Sequence, residues 1–276
     1  MKRKFFAAFL SLCMVMSLVP MTALAAPEDT GTTSAPTASG TNFFANGTPI
    51  TITATEPEGG TKAEFDTGFT ATGNSAYISW DDNGTTKYVG VSESVSIYGG
   101  GDGRTTPVTL PSTSITSTGG KVRDVYGGNR GALNKVENNC SKITGNVNMF
   151  FSGEAKVWNL LHGGGANNTC VEGTVYMNFQ NATAMNDKDS GVWPYVNGGV
   201  YGNGSEGTRN IEDGTMETFA VVNRVEITAT NSSLYLVGAG GSGSTKVNNG
   251  SVELNNCTVG SLYLSGINGE VENSSI

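Results

Sequence analysis

Residues 233–241 read SLYLVGAGG and residues 261–269 read SLYLSGING, so that Leu234 and Leu262 stand 28 residues apart. Two nearly identical segments at so short a spacing are typical of a chain that stacks copies of one small structural unit. We therefore expect a repeat protein in which Leu234 and Leu262 occupy equivalent places in neighbouring repeats, one directly above the other.

The repeat extends beyond this segment. VEITATNSSLYLVG at 225–238 aligns with VELNNCTVGSLYLSG at 252–266 if one residue is inserted. A set of glycines recurs along the chain, each two positions after an Ile, Val or Leu. Successive glycines of this set are 28 to 39 residues apart, within the range of solenoid repeats. These corner glycines are Gly99, Gly127, Gly163, Gly202, Gly238 and Gly266.

Short alternating triplets lie between the glycines and predict strands that bury one face. Stacked strands would place Val on Val and Leu on Leu in one continuous core, so the pattern predicts an all-β, right-handed parallel β-helix. Glycine would serve corners where backbones approach closely or φ is positive, and Asn would ladder at the same corners. A β-sandwich with Gly-rich hairpins is the alternative, but it would not repeat whole units. The triplets include VNM (147–149), VYM (175–177), VEI (225–227), LYL (234–236), VEL (252–254) and LYL (262–264).

The N-terminus has the features of a secretory signal peptide. Lys2, Arg3 and Lys4 precede an apolar run that ends in Ala23-Leu24-Ala25, a small-x-small cleavage pattern. A transmembrane anchor is the alternative, but the run is short for a membrane span. We expect cleavage near Ala25, a secreted chain that is extracellular or cell-wall associated, and no membrane span in the mature protein.

Charge and cysteine content exclude several classes of partner. Removing the signal peptide leaves 13 basic against 24 acidic residues, a net charge of −11, which disfavours nucleic acid and anionic lipid. Cys140, Cys170 and Cys257 remain, an odd and widely spaced set. Two of these cysteines could form one disulfide, although buried free thiols are favoured. The spacing of the cysteines predicts no zinc site, and the sequence predicts no other cofactor.

The composition divides the chain into four parts. Residues 1–25 form the signal peptide, and residues 26–43, rich in Thr, Ser and Pro, predict a flexible linker. Residues 44–95 predict an N-terminal β cap, and residues 96–276 the parallel β-helix repeats. Because the last repeat is incomplete at Ile276, we expect the C-terminus to be truncated.

Two elements are expected in the cap. Residues 49–55 (PITITAT) alternate as a strand. Residues 76–90 predict a β-hairpin that turns at Asp82-Asn83-Gly84. These strands would cover the first row of unpaired backbone groups of the repeats.

The residues that carry chemistry in β-helical enzymes are sparse. His162 lacks the carboxylates that a polysaccharide hydrolase would place beside it, and Asp187 and Asp189 lie in a polar insertion typical of a solvated loop. Ile211-Glu212-Asp213-Gly214 is interpreted as a turn. GGGDG at 99–103 is a single copy of a calcium-binding pattern that requires tandem copies. We expect no catalytic residues and no metal site.

An aromatic row is the candidate site. If the repeats stack in phase, Tyr98, Tyr126, His162 and Tyr201 would lie one above another on an outward face beside the glycine corners. Such rings could bind the faces of sugars. The alternative, favoured here, is packing between neighbouring strands that only stabilises the sheet.

The chain resembles a family of large secreted surface proteins of Gram-positive bacteria with degenerate β-helical repeats and Tyr-Gly-Gly-Gly corners. The resemblance covers about residues 44–276 and implies an adhesin-like or structural role without catalytic residues. The chain lacks the long repeat array and wall anchor of that family. The segments that carry the resemblance are IYGGG (97–101), VYGGN (125–129), LHGGG (161–165), FANGTPITI (44–52) and YISWDDNGTTKYV (77–89).

These observations predict a non-catalytic, exported cell-surface β-solenoid that serves as a rigid stalk or binding face. Host or bacterial glycans, or surface proteins, are the expected partners. The alternative is a carbohydrate-active β-helix enzyme, of the polysaccharide lyase or glycoside hydrolase type, or a glycan-binding module.

Overall fold

The computed structural model describes residues 34–65, 68–132, 140–187, 189–201, 220–243, 245–263 and 270–276. Within these residues the chain is all-β, and the single helical element is a 3-10 turn, Thr183–Met185. None of the described segments is a helix long and apolar enough to cross a membrane. The predicted signal peptide (1–25), the first part of the predicted linker and the corner glycines Gly202 and Gly266 lie outside the described residues.

Eight strands form one sheet, called here the eight-stranded sheet, with the strands numbered along the chain. Neighbouring strands run parallel, except that the first pair is antiparallel. Across the sheet the order is β1 (Thr37–Ser39), β2 (Asn42–Phe44), β7 (Ser96–Tyr98), β11 (Lys121–Tyr126), β15 (Lys156–His162), β17 (Tyr195–Asn197), β19 (Ser233–Gly238) and β21 (Thr258–Tyr263).

A second, twelve-stranded sheet is parallel over most of its width. Its main path is β22 (Glu270–Ser275), β20 (Thr245–Asn255), β18 (Ala220–Thr230), β16 (Thr169–Gln180), β14 (Val147–Ser152), β10 (Thr113–Ser117), β3 (Ile50–Thr53), β5 (Thr72–Asp82), β6 (Thr85–Val91) and β4 (Thr61–Lys62). Off this path, β13 (Ser141–Ile143) pairs with β16 and with β9 (Thr109–Leu110).

A third set of pairings, called here the short ladder, lies beside the glycine corners. Two parallel strands begin it, β8 (Asp102–Gly103) and β12 (Arg130–Gly131). Single bridges continue it from Arg130 to Ala166, Tyr201 and Ser242.

From β7 onward the chain alternates between the two long sheets and adds the next parallel strand to each on every pass. Alternation along these strands places apolar side chains on one face, so each pass extends the same interior. Most of the buried apolar residues form one continuous cluster from Phe43 to Val252. This arrangement is compatible with the predicted parallel β-helix.

Like side chains stack in the core, as predicted. The Phe151 and Phe179 ring centroids lie 5.3 Å apart, and the ring planes are nearly parallel. A buried side chain of this kind contributes about 1.5–3 kcal/mol relative to an exposed one. The matched columns are Val147–Val175–Val225, Met149–Met177–Ile227 and Phe151–Phe179–Ala229.

Asparagines mark one corner of the twelve-stranded sheet, not the glycine corners after the strands of the eight-stranded sheet, where the sequence predicted them. Asn181, Asn231 and Asn256 follow β16, β18 and β20 with φ of 52°, 50° and 53°. The Asn256 side-chain amide donates to the Asn231 side-chain oxygen at 2.7 Å. Asn tolerates this left-handed conformation better than other residues with a side chain, so the corner is repeated in successive strands.

The register of the opening repeat differs from the prediction. Leu234 and Leu262 do lie in neighbouring strands, but Leu234 faces Val259 and Leu262 faces Val237. Paired residues are therefore 25 positions apart rather than 28, and Val252 likewise pairs with Ile227. The shift of three retains an apolar interior, because β19 has core positions at both Leu234 and Val237.

The N-terminal segment is more ordered than a linker. Thr37–Ser39, within the predicted linker, is β1, and Asn42–Phe44, which begins in the predicted linker and ends at the first residue of the predicted cap, is β2; Phe43 is fully buried. Because β2 pairs with β7 and β3 with β10, parallel pairing starts before residue 96, where the repeats were predicted to begin. Because the Phe43 side chain is buried in the core, this segment is held in place and does not form a flexible linker.

The strand and hairpin predicted for the cap are present. β3 occupies Ile50–Thr53, and β5 and β6 are antiparallel around a two-residue turn. Asn83 and Gly84 have φ of 53° and 82°, the left-handed pair that such a hairpin requires.

Cys140 and Cys170 form a disulfide, with Cα atoms 6.3 Å apart. The bond joins the start of β13 to β16. The preference for free thiols is therefore wrong for these two residues. Cys257 is half-buried and forms no disulfide with the other described cysteines.

Candidate functional site: a buried aromatic row

Three predicted residues of the aromatic row stack on one another. Tyr98, Tyr126 and His162 end β7, β11 and β15 and are paired in register. The Tyr98 and Tyr126 ring centroids are 4.6 Å apart with planes at 9°, and Tyr126 lies 6.2 Å from His162 at 23°. Phe44, which ends β2, extends the row with its ring 5.0 Å from that of Tyr98. The strand spacing of a sheet sets these separations.

The row is not exposed. Tyr98, Tyr126 and His162 retain 5%, 4% and 1% of their accessible surface, so the expectation of an open outward face is wrong. Tyr98 and Tyr126 form a cluster separate from the main core with Phe44 and with Ala166 of the short ladder. The Arg130 guanidinium carbon, also on the short ladder, lies 5.8 Å from the Tyr98 ring centre. The short ladder therefore flanks the rings that the sequence places on an outward face.

Tyr201 reaches the row from a different element. In β17 the position paired with His162 is Asn197, whose side-chain nitrogen lies 3.4 Å from His162 Nε2. Tyr201 is part of the short ladder, and its ring approaches His162 at 5.1 Å and Tyr126 at 6.1 Å. The sequence has two adjacent glycine motifs here, and Gly198 rather than Gly202 follows the row position.

A glycine column explains the corners beside the row. Gly99, Gly127, Gly163 and Gly198 each follow the row position, and a Cβ on any of them would overlap a neighbouring strand or side chain. At Gly127 the obstacles are the Gly163 carbonyl oxygen and the Val147 side chain. These glycines are therefore required by close approach, not by a positive φ.

A buried carboxylate that the sequence analysis missed lies beside the row. Asp124 is 3% exposed and accepts hydrogen bonds from Ser96 Oγ and Asn159 Nδ2, both at 2.7 Å. Arg123 Nε donates at 2.9 Å to the oxygen that Ser96 contacts, and the Leu160 amide donates at 3.2 Å to the oxygen that Asn159 contacts. The signal was available, because Asp124 precedes Tyr126 by two residues and so shares its face.

The rings are uncharged at neutral pH. Burial raises the pKa of Tyr98 to about 12 and lowers the pKa of His162 to about 3. Burial, and then the Asp124 charge, raise the pKa of Tyr126 and of Tyr201. A group that transfers protons near pH 7 needs a pKa close to 7, and the pKa values of these side chains lie far from it. The row is therefore suited to packing.

The other candidate residues have local partners. Asp102 pairs with Arg104 at 2.6 Å; burial opposes its ionisation, but the Arg104 contacts lower the pKa of Asp102 overall. Asp187 accepts a hydrogen bond from the Ser190 amide at 3.2 Å within its loop. Glu212 and Asp213 lie outside the described residues. In the part of the chain that the structure describes, no three His, Cys, Asp or Glu side chains are grouped to hold a metal ion.

The chain was compared with family models, curated proteins and solved structures. No family model, no curated protein and no solved structure matches it.

Proposed function

We propose that this chain is an exported, non-catalytic β-solenoid, a right-handed parallel β-helix displayed at the bacterial cell surface as a rigid stalk. The observation that carries the proposal is the regular alternation of the chain between two long parallel sheets around one continuous core. Such an arrangement grows by adding repeats without changing its cross-section, which suits a spacer.

The buried aromatic row supports a structural role for the Tyr-Gly-Gly corners. Tyr98 and Tyr126 pack against each other, and the glycine after each admits the neighbouring strand. In this proposal the motif shared with Gram-positive surface proteins serves to stack repeats. Glycans or surface proteins would be bound elsewhere on the molecule.

The disulfide supports export. Cys140–Cys170 suits an oxidising compartment outside the cytoplasm, and the apolar N-terminal segment with its Ala23-Leu24-Ala25 end suits a cleaved signal peptide.

Expression of residues 1–276 in a Gram-positive host tests the proposal directly. We expect a mature N-terminus at Ala26 and recovery in the medium or cell-wall fraction, where protease added to intact cells degrades it. An uncleaved chain retained in the cytoplasm would contradict export. Release of reducing ends from a panel of polysaccharides by the purified chain would contradict the non-catalytic role.

A further inference from the structure

Four aromatic side chains lie on or next to three consecutive strands of the eight-stranded sheet and are not part of the buried row. They are called here the aromatic patch: Trp158, Trp193, Tyr195 and Tyr235. Trp158 is on β15, Tyr195 on β17 and Tyr235 on β19, three consecutive strands of that sheet, and Trp193 directly precedes β17. Neighbouring strands lie about 4.8 Å apart, so the four rings fall within a few strand widths.

The alternation of burial shows which side of the sheet these residues occupy. Val192, Pro194 and Val196 are buried, whereas Trp193 is 43% exposed and Tyr195 is half-buried between them. Tyr235 likewise lies between two buried leucines, and Trp158 follows the buried Val157, just before the register shift in β15. All four side chains therefore project from the solvent side of the sheet.

The patch is held in place before any ligand arrives. The Tyr195 and Tyr235 rings contact edge to face, with centroids 6.2 Å apart. The Trp158 indole nitrogen donates to the Glu93 carbonyl oxygen at 2.7 Å. Lys121 Nζ lies 3.3 Å from the Ser190 carbonyl oxygen, which fastens the loop that leads to Trp193. Such preorganisation lowers the entropic cost of binding.

The basic side chains of β11 beside the patch are paired with carboxylates. Lys121 lies 3.1 Å from Glu93, and Arg123 lies 2.9 Å from Asp124. Asp187 and Asp189 lie in the loop before Trp193, and Lys156 offsets part of the charge at Asp187. Paired cations do not draw in polyanions over a distance, and the added carboxylates disfavour acidic ligands. An uncharged ligand is therefore the best match.

The aromatic composition of the patch favours a carbohydrate ligand over a protein partner. Trp and Tyr offer flat rings with a polar edge, which suits a ligand that is apolar on its ring face and polar at its rim. Among the described residues the one large aliphatic side chain classed as exposed is Ile276, which follows β22 of the other long sheet. A protein partner would also call for exposed aliphatic side chains around the aromatic ones.

We propose that the aromatic patch binds uncharged oligosaccharides by stacking sugar faces on Trp193, Tyr195 and Tyr235. This inference does not rest on export or on the stalk role, because it concerns a surface of the folded chain itself.

The test uses the purified mature chain on an array of neutral and acidic glycans, followed by calorimetric titration with the best neutral oligosaccharide, a signal that does not depend on the tryptophan that the variants remove. We expect saturable binding that changes little between low and high salt. Trp193→Ala and Tyr235→Ala should each weaken it by roughly tenfold, the order expected for loss of one stacking ring. Trp193→Phe should retain most of the affinity.

Tyr176→Ala is the matched control, because Tyr176 is 39% exposed but lies on β16 of the twelve-stranded sheet. It should leave binding unchanged. Thermal unfolding of every variant identifies any loss that comes from misfolding. The proposal is overturned if no neutral glycan binds, if Tyr176→Ala costs as much as Trp193→Ala, or if acidic glycans bind in a salt-sensitive way. It is also overturned if Trp193→Ala changes self-association measured by ultracentrifugation and leaves glycan binding intact.

Discussion

Tyr98 and Tyr126 occupy the same position on neighbouring strands, with ring centroids 4.6 Å apart and planes within 9° of parallel. Their separation is that of the strands themselves, so the stack follows directly from the register. Phe44 and His162 continue it on either side. The rings thus link four strands through a second packed layer outside the main core.

Truncation of one ring should show how much this layer contributes to the free energy of unfolding. Because Tyr126 is buried between two other rings, Tyr126→Ala is expected to lower the free energy of unfolding by about 3–5 kcal/mol. Tyr126→Phe, which keeps the ring, should cost less than about 1.5 kcal/mol. Urea unfolding followed by tryptophan fluorescence measures both, with Tyr176→Ala as the exposed control. An equal effect at Tyr126 and Tyr176 would contradict a stabilising stack.

The glycine column makes a separate prediction. A methyl group at Gly127 would overlap the Gly163 carbonyl oxygen and the Val147 side chain, so Gly127→Ala should destabilise the chain by about 2 kcal/mol or more. At Gly68 the nearest atom to an added Cβ is Ser39 Oγ at 3.8 Å. Gly68→Ala should therefore change stability by less than about 0.5 kcal/mol. Thermal and urea unfolding compare the two, and a tolerated Gly127→Ala would disprove the close approach.

The inward-facing side chains and the glycine corners could be predicted from the sequence, because both are local features. Val147 and Val175 were expected to stack, and they do, because a period of two fixes which side chains face inward. Gly99, Gly127 and Gly163 were expected at corners, and a missing side chain is the simplest sign of close backbone approach.

Register and exposure were harder to predict because neither is local. Leu234 has an apolar neighbour whether the partner strand is shifted by three residues or not, so sequence identity with Leu262 could not select the pairing. Tyr98 looked exposed because one strand cannot reveal what lies over its outer face. Ala166 and Tyr201 belong to the short ladder, whose two-residue strands and single bridges are too short to show an alternating pattern.

The disulfide gives a prediction that the spacing of the cysteines could not provide. Cys140 and Cys170 are 30 residues apart, and closing a loop of that length in the unfolded chain corresponds to about 3–4 kcal/mol in the chain-entropy model. Cys140→Ser, or reduction of the wild type, should lower stability by that order. Cys257→Ser is the control, because it keeps the disulfide: it should match the wild type without reductant and lose the same stability when reduced, whereas Cys140→Ser should not respond to reductant. If the wild type unfolds at the same urea concentration with and without reductant, the bond contributes nothing.

His162 is the single histidine of the chain, so its titration can be followed without overlap. Burial lowers the pKa of His162 to about 3, whereas the ordinary value is 6.5. Below pH 6.5 the unfolded chain binds a proton that the folded chain does not. This contribution to stability is therefore complete above pH 6.5 and is lost as the pH falls from there towards 3.

Between pH 6 and 4, wild-type stability should fall faster than that of His162→Phe by about 1 kcal/mol per pH unit. The phenylalanine keeps a ring in the row. Carboxylates titrate in both proteins, so subtracting one stability profile from the other leaves the contribution of His162. In the folded wild type the imidazole proton resonance should not titrate down to pH 4. A midpoint near 6.5 in that resonance, or parallel stability profiles, would show that His162 is open to solvent and that the row is not closed around it.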